Sequence, residues 1–180
     1  PFLLHRGRSV NDVPGLIYKE NGGIKMTPYG NDPNFDDYPN PARHLLPNEL
    51  YAEFTTERKN FTVMVTSKGC PNGCLFCEAG HTSYNPRRPE TVLEEINECY
   101  TKYNIREIDF FYYDFCIDRK RVETICDGII KRQIDVSWAC RTRVDYVDEN
   151  LLRKMRAAGC SRIYFGIESG RRSWKTATHQ

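Results

Sequence analysis

The chain has 180 residues, of which 28% are charged and 39% hydrophobic, and its formal net charge is +2. A chain of this length can bury one substantial core, and its balanced charge gives no electrostatic case for binding nucleic acid or an anionic membrane. No apolar run approaches the ~20 residues of a transmembrane helix. Five of the eight cysteines stand singly in apolar or mixed stretches, which does not indicate a disulfide framework. We therefore predict a cytoplasmic protein that binds neither nucleic acid nor a membrane.

Residues 1–58 are rich in Pro, Gly, Asn and Asp and form the first of three predicted segments. Gly15–Lys25 has the pattern of a β-hairpin, with Asn21-Gly22-Gly23 as its turn. Asn31–Pro47 contains four prolines, which exclude a regular element. We predict an irregular arm that carries one hairpin.

Residues 59–170, the second segment, alternate between short apolar runs and helical patterns. Strands are predicted at Phe61–Ser67, Glu107–Tyr113, Val136–Thr142 and Arg162–Glu168. Helices are predicted at Pro89–Tyr103, Arg121–Arg132 and Asp148–Gly159, with Asp148 as an N-cap. A repeated strand–helix pattern with short links predicts an α/β fold with a parallel sheet. Residues 171–180 are polar and patternless and form an atypical tail.

The predicted strand ends carry reactive and charged side chains. In chain order these residues are Cys70, Cys74, Cys77, Asp114, Arg141, Arg143, Asp145, Glu168 and Ser169. Ligands bind at the carboxyl ends of the strands in parallel α/β folds. The alternation alone therefore predicts that these side chains meet at one rim of the sheet.

The stretch SKGCPNGCLFC (Ser67–Cys77) places three cysteines in a Cys-x3-Cys-x2-Cys pattern. Iron–sulfur cubanes normally take four thiolates, so three leave one iron open, and an open position marks a reactive metal site. Gly69 and Gly73 would let the loop wrap a compact cluster and aim backbone N–H groups at its sulfurs. The alternative is a structural zinc site with His81 as the fourth ligand, although paired Cys-x2-Cys units are typical of zinc.

This spacing after a first strand, with Phe76 before the last cysteine, resembles the signature of the radical S-adenosylmethionine superfamily. The resemblance implies that Cys70, Cys74 and Cys77 hold a 4Fe–4S cluster whose open iron chelates the amino and carboxylate groups of S-adenosylmethionine. An electron from the cluster would cleave this cofactor to methionine and a 5′-deoxyadenosyl radical. The implied fold is a partial TIM-like (β/α) barrel, of whose six expected parallel strands the sequence contains about four.

The resemblance also implies five cofactor-binding residues besides the metal ligands. Phe76 would contact the adenine, mainly through its backbone, and Asp114 would lie by the methionine amino group. Arg143 would lie near the carboxylate. Glu168 and Ser169 would face the ribose hydroxyls, although Glu168 could instead pair with Arg143.

Some side-chain environments can be predicted from the pattern alone. Arg141 and Arg143 are expected to face opposite sides of the sheet, with Arg143 toward the barrel interior. The aromatic run Phe110–Tyr113 is expected in the core, and Arg87 and Arg88 in a solvated loop. Asp114 has an alternative role as the cap of the following helix.

Six stretches extend the resemblance to cobalamin-dependent radical enzymes, which include methyltransferases and the anaerobic cyclase of chlorophyll synthesis. They are Val13–Gly23, Phe35–Pro47, Glu107–Arg121, Trp138–Asp145, Leu151–Cys160 and Ile163–Gly170. The resemblance implies that residues 1–58 follow an upstream cobalamin-binding domain, that the chain is truncated at both ends, and that a flavodoxin- or ferredoxin-type protein donates the electron. An inactive remnant of such an enzyme is the alternative, and the pattern identifies no substrate.

Overall fold

The computed structural model of the chain describes residues 9–30, 34–74, 76–79 and 82–167. The chain divides into two compact units, of which the first ends at Asn34 and the second begins at Phe35. The first unit contains the predicted hairpin, formed by strands β1 (Ile17–Glu20) and β2 (Gly23–Met26). Asn21 and Gly22 form its turn at φ values of 50° and 81°, the left-handed conformation that tight hairpin turns require. The predicted tail, residues 171–180, lies outside the described residues.

The second unit is built on a parallel sheet of four strands in sequential order, which confirms the predicted α/β fold. Its remaining strands are β3 (Phe61–Met64), β4 (Ser67–Lys68), β5 (Asn85–Pro86), β6 (Glu107–Phe110), β7 (Ser137–Arg143) and β8 (Cys160–Gly166). The sheet order is β3-β6-β7-β8, while β4 and β5 form a separate antiparallel pair. The described strands form an open sheet, as a partial barrel requires.

Three helices cover one face of this sheet: α1 (Pro89–Lys102), α2 (Arg119–Lys131) and α3 (Glu149–Ala157). Their apolar faces and the strand residues that point toward them form one core, in which Trp138 is fully buried. As predicted, Asp148 caps α3 by accepting a hydrogen bond of 2.8 Å from the Leu151 N–H. No helix in the described ranges is both long enough and apolar enough to cross a bilayer.

The opposite face of the sheet is charged. Asp109 of β6 binds Arg141 of β7 through two hydrogen bonds of 2.7 and 3.0 Å. Arg141 and Arg143 both line the cavity above this face, so the prediction that they face opposite sides is wrong. Residues two positions apart in a strand point the same way.

Residues 35–58 contain no helix longer than a 3₁₀ turn; these turns lie at Phe35–Asp37, Arg43–Leu45 and Asn48–Leu50. Two buried carboxylates attach this segment to the sheet and its helices. Glu95 of α1 pairs with Arg43 at 2.6 Å. Glu107, at the start of β6, accepts hydrogen bonds of 2.9 and 2.8 Å from the backbone N–H groups of Glu57 and Arg58.

Two predicted environments are wrong. The aromatic run is not core beyond Phe110, because the ladder with β3 ends there, at the pair Met64↔Phe110. Phe111 and Tyr113 are 51% and 48% exposed. Arg87 is buried rather than solvated, because its guanidinium pairs with the buried Glu95.

Candidate functional site

A cavity of about 410 Å³ lies at the carboxyl ends of the sheet strands. Six of the eight predicted site residues line it: Cys70, Cys74, Phe76, Cys77, Asp114 and Arg143. They come from the loop after β3 and β4, the segment after β6 and the end of β7. The other two, Glu168 and Ser169, lie outside the described residues.

The cysteine loop is closed at its base by the β4–β5 pair and adopts its path because of Gly69. This residue has φ +76°, and a Cβ there would lie 1.9 Å from the Ser83 carbonyl oxygen. Only glycine fits such a position without a rearrangement. Beyond it, the Cys70 N–H donates to Thr82 Oγ1 at 2.9 Å, and that hydroxyl donates to the Ala79 carbonyl at 2.8 Å. The loop backbone is therefore fixed where the first thiol emerges.

The three loop thiols differ in exposure. Cys70 is buried and Cys74 and Cys77 are half-buried, and burial raises the pKa of the Cys70 thiol. No three His, Cys, Asp or Glu side chains of the described ranges converge on a single metal ion. The proposed fourth zinc ligand, His81, lies outside the described residues.

Asp114 presents an unpartnered carboxylate oxygen. The side chain is only 4% exposed, and Oδ1 accepts hydrogen bonds from Thr142 Oγ1 at 2.8 Å and from the Cys116 N–H at 3.1 Å. Oδ2 is buried without any hydrogen-bond partner. Burial raises the pKa of Asp114, and hydrogen bonding from Thr142 and from the Cys116 and Arg143 backbones, together with the Arg143 charge, opposes this shift. A buried acceptor without a partner is costly, so the site suits a ligand that donates a hydrogen bond.

The alternative role of Asp114 as a helix cap is wrong. Asp118 caps α2 instead, because its carboxylate accepts from the Arg121 N–H at 3.1 Å. Asp114 lies four positions earlier, before the chain turns into the helix.

Arg143 supplies a fixed positive charge at the end of β7. Asp145 binds its Nε at 2.9 Å and its Nη2 at 2.6 Å, and this side-chain hydrogen bonding raises the arginine pKa. The remaining nitrogen, Nη1, lies 3.8 Å from Cys74 Sγ. The guanidinium thus stays charged next to the thiol loop.

Sequence reasoning missed three residues that hold the site together. Thr142 orients Asp114, as described above, and Tyr146 Oη donates to Asn72 Oδ1 at 2.5 Å, which ties the cysteine loop to the turn after β7. Thr142 could have been found because it stands between two arginines at a strand end. Asn72 and Tyr146 are far apart in sequence and give no local signal.

Comparison with known proteins gives one family and two groups of relatives. The family model described as the Radical SAM superfamily matches residues 64–179. An uncharacterised methyltransferase of Pyrococcus horikoshii is 34% identical over 175 residues, which cover 92% of this chain and 36% of that protein. The anaerobic magnesium-protoporphyrin IX monomethyl ester cyclase of Rubrivivax gelatinosus is 28% identical over 166 residues, covering 88% and 29%. The chain spans about a third of the length of these curated relatives.

Two solved structures share the fold. The cobalamin-dependent S-adenosylmethionine radical enzyme OxsB aligns with a TM-score of 0.73 at 23% identity, over 98% of this chain and 27% of that one. The radical S-adenosylmethionine methyltransferase TsrM from Kitasatospora setae, solved with cobalamin and a [4Fe-4S] cluster, aligns with a TM-score of 0.66 at 18% identity, over 92% and 35%. At these identities the likeness is one of fold, and it agrees with the partial barrel predicted from the sequence.

Proposed function

Because the chain belongs to the radical S-adenosylmethionine superfamily, we propose that it is an enzyme core that binds a 4Fe–4S cluster and cleaves S-adenosylmethionine reductively. One observation carries this proposal. The loop with its three thiols and the buried Asp114, whose Oδ2 has no hydrogen-bond partner, border the same cavity.

The side chains at this cavity fit the two cofactors. Cys70, Cys74 and Cys77 would each bind one iron, which leaves a fourth iron for S-adenosylmethionine. Asp114 Oδ2 would accept a hydrogen bond from its amino group, and Arg143 would balance its carboxylate. When bound, the cluster supplies the electron that splits the sulfonium to methionine and a 5′-deoxyadenosyl radical.

The protein's own groups set the charge balance of this site. An iron-bound amino group keeps its N–H donors, and a hydrogen bond from it to Asp114 would favour the ionised carboxylate and so oppose the effect of burial on its pKa. Arg143 keeps its charge because Asp145 holds two of its nitrogens. The roles of Phe76 toward the adenine and of Glu168 and Ser169 toward the ribose remain predictions.

We further propose that the whole protein is a cobalamin-dependent enzyme of the methyltransferase or cyclase type. The two curated relatives, a methyltransferase and a cyclase, support this, as does the fold shared with two cobalamin-dependent or cobalamin-bound enzymes. A flavodoxin- or ferredoxin-type protein would donate the electron.

Anaerobic reconstitution with iron and sulfide tests the proposed function. The wild-type chain should bind about four irons and four sulfides and show a brown, dithionite-bleached chromophore. Alanine at any one loop cysteine should abolish stable incorporation, whereas Cys126→Ala should leave the iron content unchanged, because Cys126 lies in the core away from the cavity. The residues to vary are Cys70, Cys74 and Cys77. A colourless protein with one tightly bound zinc would overturn the proposal.

A further inference from the structure

The cysteine loop, residues 69–84, rises from a two-stranded base that is fixed by a buried arginine. At this base β4 pairs with β5, and the Arg87 N–H donates to the Thr66 carbonyl at 2.9 Å. Thr66 comes just before β4 and Arg87 just after β5. The distance between these two backbone positions therefore determines how closely the two ends of the loop approach each other.

Arg121, in the first turn of α2, contacts both sides of this base. Its Nε donates to the Arg87 carbonyl at 2.8 Å, and its Nη2 donates to the Thr66 carbonyl at 2.7 Å. One planar guanidinium therefore bridges the two ends of the cysteine loop. The fixed fork of an arginine directs two separate N–H groups at the two carbonyls, whereas the three donors of a lysine ammonium all radiate from one nitrogen.

This arginine is costly to bury, which indicates a specific role. The side chain is 4% exposed, and no carboxylate in the described ranges forms a salt bridge with it. Its Nη1 is buried without a hydrogen-bond partner, and burial lowers its pKa. A hydrophobic residue at this position would avoid these costs, because the α2 face it shares with Ile125 is otherwise apolar.

We propose that Arg121 is a positioning residue for the cysteine loop: its guanidinium fixes both ends of the loop base and so determines where the thiols stand. The relevance to the cluster rests on the proposed function, whereas the effect on the loop does not. A second buried contact acts from the other side, because the Arg87 side chain pairs with Glu95 of α1. The loop base is thereby attached to two helices of the core.

Amide hydrogen exchange on the cluster-free protein tests this proposal. In Arg121→Lys, exchange at the Arg87 and Cys70 amides should accelerate roughly tenfold or more, as expected when a hydrogen bond to a charged group is lost. The Trp138 amide, bound to the Gly159 carbonyl at 3.0 Å across the sheet, should be unaffected. Arg119→Lys is the matched control, because Arg119 lies on the same helix but binds Asp148 and Glu123.

Two outcomes of the exchange experiment would contradict the positioning role of Arg121. Equal exchange rates at the Arg87 and Cys70 amides in Arg121→Lys and Arg119→Lys would overturn the proposal. So would equal acceleration at all three amides, in Arg121→Lys or in the neutral Arg121→Gln, because it would show a general loss of stability. After reconstitution, a chelator should remove iron from Arg121→Lys several-fold faster than from Arg119→Lys. Failure of the wild-type chain to bind iron would instead refute the proposed function and leave the exchange comparison valid.

Discussion

Asp114→Asn should separate ligand binding from stability, because the two oxygens of Asp114 have different surroundings. Oδ1 is held by Thr142 and the Cys116 N–H, whereas Oδ2 is buried and unpartnered. An asparagine oxygen can replace Oδ1, but its amide nitrogen cannot accept a hydrogen bond at the Oδ2 position. The substitution therefore removes the negative charge and the acceptor that the proposed ligand needs.

The magnitude follows from these contacts. A hydrogen bond to a charged group contributes about 1.5–3 kcal/mol, so the affinity of the reconstituted protein for S-adenosylmethionine should fall roughly ten- to hundredfold. At neutral pH the cluster-free Asp114→Asn protein should be slightly more stable than the wild type, because removing a buried, half-satisfied charge outweighs the unpaired amide that replaces it. Thr142→Val is the matched control: it removes a donor to Asp114 and should lower the free energy of unfolding by about 1–2 kcal/mol.

The pH dependence gives a second measurement. Burial raises the pKa of Asp114 in the folded protein, so the folded state holds its proton at pH values where the unfolded state has lost it. The wild-type chain should therefore lose stability relative to Asp114→Asn as the pH rises above about 4, and the two should converge below that pH. Urea unfolding from pH 3 to 7 measures this difference, with isothermal titration for the ligand. Unchanged ligand affinity in Asp114→Asn would refute the assigned role, and a difference in stability of the opposite sign would refute the pKa argument.

Two further substitutions test the loop and the core. Gly69→Ala should disrupt the loop and lower iron incorporation, because its Cβ would lie 1.9 Å from the Ser83 carbonyl oxygen; Gly22→Ala, at φ +81° with no atom within 4 Å, adds backbone strain alone and should leave iron binding unchanged. Trp138→Phe should lower the free energy of unfolding by about 2 kcal/mol in urea titrations, because it leaves the Ala158 carbonyl without its 2.8 Å donor; a loss within error would show that the carbonyl finds another partner.

The sequence predicted the framework well because local signals and global packing agree there. Apolar spacing identified all three helices, and the cap at Asp148 was visible as a residue type at a boundary. Strand ends were less predictable, since Phe111 and Tyr113 continue an apolar run after the ladder has ended. These aromatic residues are half-exposed, and Tyr113 lines the cavity. Hydrophobicity alone cannot distinguish a buried strand from an apolar rim of a binding site.

Buried charges were the main failure of sequence reasoning. Arg121 stands in the polar stretch Asp118–Arg121, which suggests a solvated surface. Helical spacing did contain a signal, because Arg121 shares a face with Ile125 and Ile129, which lie four and eight residues further on. Arg87 gave no such signal, because its partner Glu95 lies on a helix whose packing is set by the tertiary fold.

These buried arginines explain how the base of a loop with little secondary structure can be fixed in place. The apolar side of the core fixes α1 and α2 against the sheet. Arg87 connects the loop base to α1 through Glu95, and Arg121 connects the same base to α2 through two backbone carbonyls. The loop base is thus held by contacts with both helices, although the loop has no hydrophobic core of its own. Because these hydrogen bonds, and not apolar contacts, hold the loop base, core substitutions that leave both arginines in place should lower the free energy of unfolding. They should have little effect on where the thiols stand.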